Sequence, residues 1–140
     1  MITIRQWYGV NLQLLRYHYP QSQFTFDDED FTWIRIDAFP LPSNFIQRTS
    51  RLLMRLPGIH RPITVPPWSF HLDKGLRTQA GGNPGHVFEE TAYHGAENLS
   101  RRGYAYYCLL LERWGPTADV VSGDNLVGVA NTIRHTLRSA

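Results

Sequence analysis

Cys108 is the only thiol in the 140-residue sequence and hence the only candidate thiolate nucleophile. It follows a tyrosine-rich segment and precedes three leucines in the apolar run 104–114. A lone cysteine in such a run is by default a small buried hydrophobic residue. A reactive cysteine would instead lie at the end of its element, beside a loop and in a shaped groove. The residues alone leave both interpretations open.

Six histidines raise the question of a metal site. His86 and His94 are eight residues apart, with Glu89 and Glu90 between them, but no HExxH motif is present. A single cysteine excludes the thiolate cages of structural zinc sites. We therefore predict no metal and no cofactor. His71 stands between two apolar residues and is predicted to be a strand residue rather than a ligand.

Lysine is nearly absent from the chain. Thirteen of the fourteen basic residues are arginine, and Lys74 is the only lysine. Codon bias in a GC-rich genome would explain this usage. The alternative is a protein that handles a lysine-seeking electrophile and keeps few lysines of its own.

The composition is that of one globular domain, with 42% hydrophobic and 13% aromatic residues. A chain of this size buries roughly two thirds of the surface that its unfolded form exposes, so it needs no disulfide or metal. The net charge of +2 is too small to favour a nucleic-acid partner. No apolar run approaches the roughly 18–20 residues of a membrane helix. We expect no signal peptide, and the single cysteine favours a reducing cytoplasm.

The first half of the chain predicts a helix followed by strands. Apolar residues recur at three- and four-residue spacing over 3–19, which indicates an amphipathic helix. Residues 22–57 predict a strand meander, in which the acidic cluster 27–30 forms a solvated turn. Within the meander, alternation places Trp33 and Ile34 on opposite faces of the sheet.

The second half predicts more irregular structure. Residues 57–70 are proline-rich and end in a short strand. The polar, glycine-rich stretch 73–103 predicts a long functional or mobile loop, with a short helix at 87–93 as the alternative. Gly115-Pro116 breaks the apolar run that contains Cys108. Asp124 is the predicted N-cap of a final helix.

The order of these motifs along the chain is informative. The helix and meander precede a crossing that ends in Pro66-Pro67; Cys108 and Trp114-Gly115-Pro116 come after the glycine-rich loop, before the closing helix. This order resembles the ubiquitin-conjugating enzyme (UBC-like) fold over nearly the whole chain. It looks most like the divergent prokaryotic branch found beside ThiF-type activating enzymes and ubiquitin-like proteins. The resemblance implies one α+β domain over 1–140, with an antiparallel four-stranded meander and an active-site loop segment between two terminal helices.

The resemblance also implies a function. Cys108 would accept the C-terminus of a bacterial ubiquitin-like protein as a thioester and pass it to a target protein. The partners would be that protein, a ThiF-type activating enzyme and the target, in a conjugation system that in several relatives serves phage defence. Pro66-Pro67 and Trp114 with Pro116 would be structural. The alternatives are a catalytically inactive binding module of the same fold and an unrelated α+β domain.

The sequence departs from the family at one motif. The family carries an HPN triplet shortly before its cysteine, and its Asn is the oxyanion donor or loop brace. That triplet is absent here, and the nearest substitutes are His94 and Asn98, fourteen and ten residues before Cys108. Our hypothesis is that one of them replaces the missing Asn or supplies a base. Pro67 and Cys108 are also further apart than in the usual family.

Overall fold

An antiparallel sheet organises the molecule. A computed structural model describes residues 2–140 and contains a six-stranded sheet of order β1-β2-β3-β4-β6-β5. Two helices, one near each end of the chain, pack on one face of this sheet. The elements are α1 Ile4–His18, β1 Gln23–Phe26, β2 Trp33–Pro40, β3 Thr49–Arg55, β4 Ser69–Asp73, β5 Val87–Phe88, β6 Tyr104–Tyr107 and α2 Leu126–Leu137. The α+β class and both terminal helices are confirmed; β1–β4 are the meander, and two further strands extend it.

Strand alternation divides the sheet into an inner and an outer face. On β2, Ile34 and Ile36 are fully buried beneath the helices. Trp33 and Arg35 are half-buried on the opposite face. The predicted alternation in this strand is therefore confirmed. We call the helix-covered side the inner face and the other side the outer face.

The acidic cluster forms the turn between β1 and β2, as predicted. The Asp27 carboxylate accepts hydrogen bonds from the Thr32 hydroxyl at 2.6 Å and from the backbone amides of Glu29, Asp30 and Thr32. The hydroxyl and these amides lower the pKa of Asp27. The cluster thus closes the turn that leads into β2.

The last helix begins one residue later than predicted. Asn125, in an extended conformation, is the N-cap, and its side chain accepts from the Gly128 amide. Asp124 instead accepts a hydrogen bond from the Gly115 amide at 2.7 Å. The N-cap prediction for Asp124 was therefore wrong. Both side chains can accept a backbone hydrogen bond. Asn125 accepts from the helix, whereas Asp124 is already bonded to the Gly115 amide.

The predicted loop 73–103 contains one short strand that joins the sheet. Its short strand β5 pairs with β6, with Val87 opposite Tyr107 and Phe88 opposite Tyr106. A 3-10 turn at Ser100–Arg102 follows. The alternative of a helix at 87–93 is wrong, because an open edge of β6 was available to pair with these residues.

Trp114 ties the proline-rich crossing to the helical layer. Its Nε1 donates to the Ile63 carbonyl at 2.8 Å. Its ring meets Trp7 of α1 edge to face, with 6.3 Å between ring centroids. Pro67, at the end of the crossing, is buried, whereas Pro66 is exposed. No helix within residues 2–140 combines the length and apolarity needed to cross a membrane.

Asn11 links the two helices and provides a test of the packing. It is fully buried; its Oδ1 accepts from the Leu126 amide at 2.8 Å and its Nδ2 donates to the Trp7 carbonyl at 2.9 Å. Asn11→Ala leaves the first amide of α2 buried without an acceptor, so we expect the free energy of unfolding to fall by about 1–3 kcal/mol in urea denaturation. The exposed control Gln13→Ala should change it by less than about 0.5 kcal/mol. Equal losses in the two variants would contradict this account.

Candidate active site

Cys108 directly follows β6 and continues its geometry. Its backbone amide donates to the His86 carbonyl at 2.8 Å, which extends the pairing between β5 and β6 by one residue. Tyr107 points into the core, so alternation turns the Cys108 side chain to the outer face. The residue is half-buried. Cys108 therefore lies at the end of its element and beside a loop, as a reactive cysteine requires.

A groove of about 410 Å³ runs beside Cys108. One wall is the segment 107–110, and His86 contributes from the start of β5. The other wall is the end of α2, with His135, Thr136 and Ser139. Leu110, on the rim, is 60% exposed. The groove is thus lined by both polar and apolar residues, and a ligand bound in it would contact the segment 107–110.

Tyr106 lies two residues before Cys108 in the same extended segment. Because side chains alternate along a strand, the two side chains point to the same outer face. Burial, followed by the nearby Cys108 side chain, raises the pKa of Tyr106 to about 12. The hydroxyl therefore keeps its proton at physiological pH and can donate it in a hydrogen bond. The ring is held between His71, at 5.9 Å, and Tyr93, at 6.4 Å between centroids.

The neighbouring strand β4 adds a serine and a histidine. The Ser69 Oγ and His71 Nε2 atoms are 2.8 Å apart, and both residues are buried on the outer face. Phe70 pairs with Tyr107, so the same register brings Ser69 alongside Cys108. His71 is a strand residue, as predicted. Burial, followed by the charge of Arg55, lowers the pKa of His71 to about 4, which leaves its imidazole neutral at physiological pH.

The structure places His94 and Asn98 in the loop that precedes the 3-10 turn. His94 is exposed and lines a separate cavity of about 210 Å³ together with Trp68 and Ser69. The Asn98 amide donates to the Glu90 carbonyl at 2.9 Å, and its Oδ1 accepts from the Ser100 amide at 3.0 Å. Asn98 therefore braces its own loop. Neither residue lines the groove beside Cys108, and their proposed roles in transfer stay predictions.

Sequence reasoning missed three residues of this site: Ser69, His71 and Tyr106. One signal was available, because a residue two positions before Cys108 in a strand must share its face. That rule points to Tyr106. No comparable signal identified Ser69 and His71, because their place depends on the pairing of β4 with β6, strands thirty residues apart in the chain.

No group of three His, Cys, Asp or Glu side chains within residues 2–140 is placed to hold a metal ion. No protein-family model, no curated protein and no solved structure matches this chain. The function is therefore inferred from the geometry around Cys108. The chemistry available there is a partly exposed thiol, a neutral tyrosine hydroxyl that can donate to it, and a neutral imidazole paired with a hydroxyl.

The buried His71 predicts a pH dependence of stability. The unfolded chain, with an ordinary histidine pKa of 6.5, binds more protons than the folded chain between pH 6.5 and about 4. The neutral His71 therefore contributes fully to the free energy of unfolding above pH 6.5. As the pH falls to about 4, the free energy of unfolding decreases by up to about 3 kcal/mol. We expect His71→Gln to reduce the difference in unfolding free energy between pH 7 and pH 4.5. The exposed control His18→Gln should retain the difference; a variant profile parallel to that of the wild type would contradict the assignment.

The Tyr106 hydroxyl predicts the reactivity of the thiol. Tyr106→Phe removes a donor to the Cys108 thiolate, so we expect alkylation by iodoacetamide at pH 7.5 to slow by about three- to tenfold. Tyr93→Phe is the matched control, since its ring lies in the same aromatic cluster, and its rate should equal that of the wild type. Intact mass against time measures both rates. An unchanged rate in Tyr106→Phe would show that the hydroxyl does not act on the thiolate.

Proposed function

We propose that this protein is a ubiquitin-conjugating-like enzyme that carries a ubiquitin-like protein as a thioester on Cys108 and transfers it to a target. The observation that carries the proposal is the position of Cys108. It is the sole thiol of the chain, directly follows β6, is partly exposed and lines a groove. Partial exposure at the end of an element fits a reactive cysteine better than a core cysteine.

The arrangement of the elements supports the same proposal. The chain runs from α1 through the meander β1–β4, and the crossing that ends in Pro66-Pro67 lies between β3 and β4. Trp114 contacts both this crossing and α1, as a structural tryptophan after the cysteine should. This is the order of elements that the UBC-like resemblance requires, with β5 and β6 as additions to the sheet.

The chemistry is an acyl transfer in two steps. The Cys108 thiolate attacks the activated C-terminal carbonyl carbon of the ubiquitin-like protein, a C–S bond forms, and the thiol of the activating enzyme leaves. An amine or hydroxyl of the target then attacks the thioester carbonyl. The C–S bond breaks, Cys108 leaves as a thiolate, and the proton of the attacking group passes to solvent or to a base. Each step passes through a tetrahedral oxyanion.

Tyr106 is the donor we assign to that oxyanion. The missing Asn of the family would stabilise the intermediate by a hydrogen bond, and Asn98 is already bonded within its own loop. The Tyr106 hydroxyl is on the same face of the sheet as Cys108 and stays protonated, because the pKa of Tyr106 is raised to about 12. A neutral donor near the sulfur can move to the developing oxygen charge with little rearrangement.

The groove and the lysine usage fit a carrier of this kind. An extended C-terminal tail can lie between the segment 107–110 and the end of α2 and reach the Cys108 thiol around the end of β6. Lys74, the only lysine, is half-buried and pairs with Glu90 at 3.0 Å. Its amine also donates to the Ser100 carbonyl. The chain therefore offers few amines that could capture its own thioester.

A non-catalytic binding module of the same fold is the second candidate. It is favoured by the engagement of Asn98 in its loop and by the partial burial of Cys108. In that case the groove would hold a partner without covalent chemistry. The two candidates differ in one property, the formation of an adduct on Cys108.

Intact mass spectrometry tests the proposal. The protein is mixed with ATP and with a ubiquitin-like protein and a ThiF-type activating enzyme encoded by neighbouring genes. We expect an adduct that dithiothreitol removes. Cys108→Ser should replace it with a reductant-resistant ester or abolish it, and Cys108→Ala should abolish it. Tyr106→Phe should form the thioester but discharge it to an added amine about ten- to a hundredfold more slowly, with Tyr93→Phe as the control.

The absence of an adduct on Cys108 would contradict the proposal. If no adduct forms and iodoacetamide does not alkylate Cys108 in the folded protein, the carrier function is excluded. Binding of the ubiquitin-like protein without an adduct, measured by isothermal titration calorimetry, would then support the binding module.

A further inference from the structure

A second cavity, of about 960 Å³, lies away from the cysteine groove. It is formed by the connection between β2 and β3, residues 41–48, together with Gln79 and the last turns of α2. Its volume is more than twice that of the groove beside Cys108 and lies at the upper end of the roughly 300–1,000 Å³ of ligand pockets. The two cavities share no lining residue. The proposed function does not involve this second cavity.

Three arginines give the cavity an unbalanced positive charge. Arg48 comes from the connection, and Arg134 and Arg138 come from α2; no Asp or Glu is part of the lining. None of the three forms an ion pair within residues 2–140. Of the ten arginines outside the cavity, Arg35, Arg51, Arg55 and Arg77 are paired with carboxylates within residues 2–140 and the other six are not. What distinguishes the cavity is that three unpaired arginines line one concave surface.

The helix dipole explains only part of this cluster. Cations in the last turn of a helix are stabilised by its carbonyl end, which accounts for Arg134 and Arg138. Arg48 belongs to a different segment and gains nothing from that turn. Burial of the Arg134 Nε without a partner opposes the effect. An anion bound in the cavity would account for all three arginines.

Two residues of the cavity wall also contact each other's surroundings at the end of α2. The Asn44 Nδ2 donates to the Leu137 carbonyl at 3.0 Å, which fixes residues 41–48 against the helix end. The Asn44 Oδ1 and Arg134 Nε atoms are buried behind the cavity surface. The choice of ligand therefore depends on the exposed charges and on the rim.

The rim of the cavity also suits a peptide. Ile46 is 54% exposed, although it lies in a short connection between two strands. Phe45 and Leu41, which also line the cavity, are buried in the core. An apolar side chain can pack on this surface while neighbouring carboxylates reach the arginines. Arginine also binds carboxylates through two parallel hydrogen bonds, which favours it at such a site.

We propose that this cavity binds an acidic peptide segment of a partner protein. Aspartate or glutamate carboxylates of the segment lie on Arg48 and Arg138. An apolar residue of the segment packs on the exposed Ile46 side chain. The proposal does not depend on thioester chemistry at Cys108.

Fluorescence anisotropy with a defined peptide tests this. The probe is a fluorescein-labelled hexapeptide of alternating Asp and Leu, titrated at low ionic strength. We expect Arg48→Gln/Arg138→Gln to weaken binding about tenfold or more. The control Arg101→Gln/Arg113→Gln removes the same net charge from two exposed arginines outside the cavity and should change binding less than about twofold. Circular dichroism confirms that both variants fold.

Three outcomes would overturn the proposal. An equal loss in the control variant would show that only the net charge of the protein attracts the peptide. A single-stranded oligonucleotide of the same charge that binds more tightly than the peptide, with the same dependence on Arg48 and Arg138, would assign the cavity to nucleic acid. No binding of the peptide at millimolar concentration would exclude the site. Cys108→Ser should bind the peptide like the wild type, so failure of the carrier function and failure of this site are separable.

Discussion

Burial of Tyr107 fixes the position of the candidate nucleophile. Its side chain is 3% exposed, packs in the core, and forms a 2.6 Å hydrogen bond between its hydroxyl and that of Thr136 on α2. Because side chains alternate along a strand, an inward Tyr107 requires an outward Cys108. The same contact draws the end of α2 against the cysteine segment and so forms the second wall of the groove. Leu109, two residues further on, also packs against the core, which is consistent with an outward Cys108 between the two.

The two faces of the sheet carry different chemistry. The inner face is apolar and is covered by α1 and α2, with Asn11 as the buried polar link between the helices. The outer face carries Ser69, His71 and Tyr106 beneath the loop that contains Tyr93. Burying a neutral histidine there costs stability at acidic pH, since its charged form is excluded. A loss of stability of this kind is common at residues of functional sites, where local sequence rules are often broken.

The last turn of α2 forms a wall of both cavities. His135, Thr136 and Ser139 face the groove beside Cys108, whereas Arg134 and Arg138 line the arginine-rich cavity. Residues three and four apart lie on one side of a helix, so this division follows from helical geometry. One helix end thus separates the groove beside Cys108 from the arginine-rich cavity.

Local patterns in the sequence determined the helix near residue 4, the strands of the meander, the acidic turn and the candidate role of Cys108. Each depends on neighbours within a few residues, through apolar periodicity, turn chemistry or residue type. Only the tertiary structure decided that Val87-Phe88 pairs with β6, that His71 lies opposite Tyr106, and that Asn98 is bonded within its own loop. The physical reason is that strand pairing joins residues far apart in the chain, and a hydrogen bond that fixes a side chain depends on partners the local pattern does not contain.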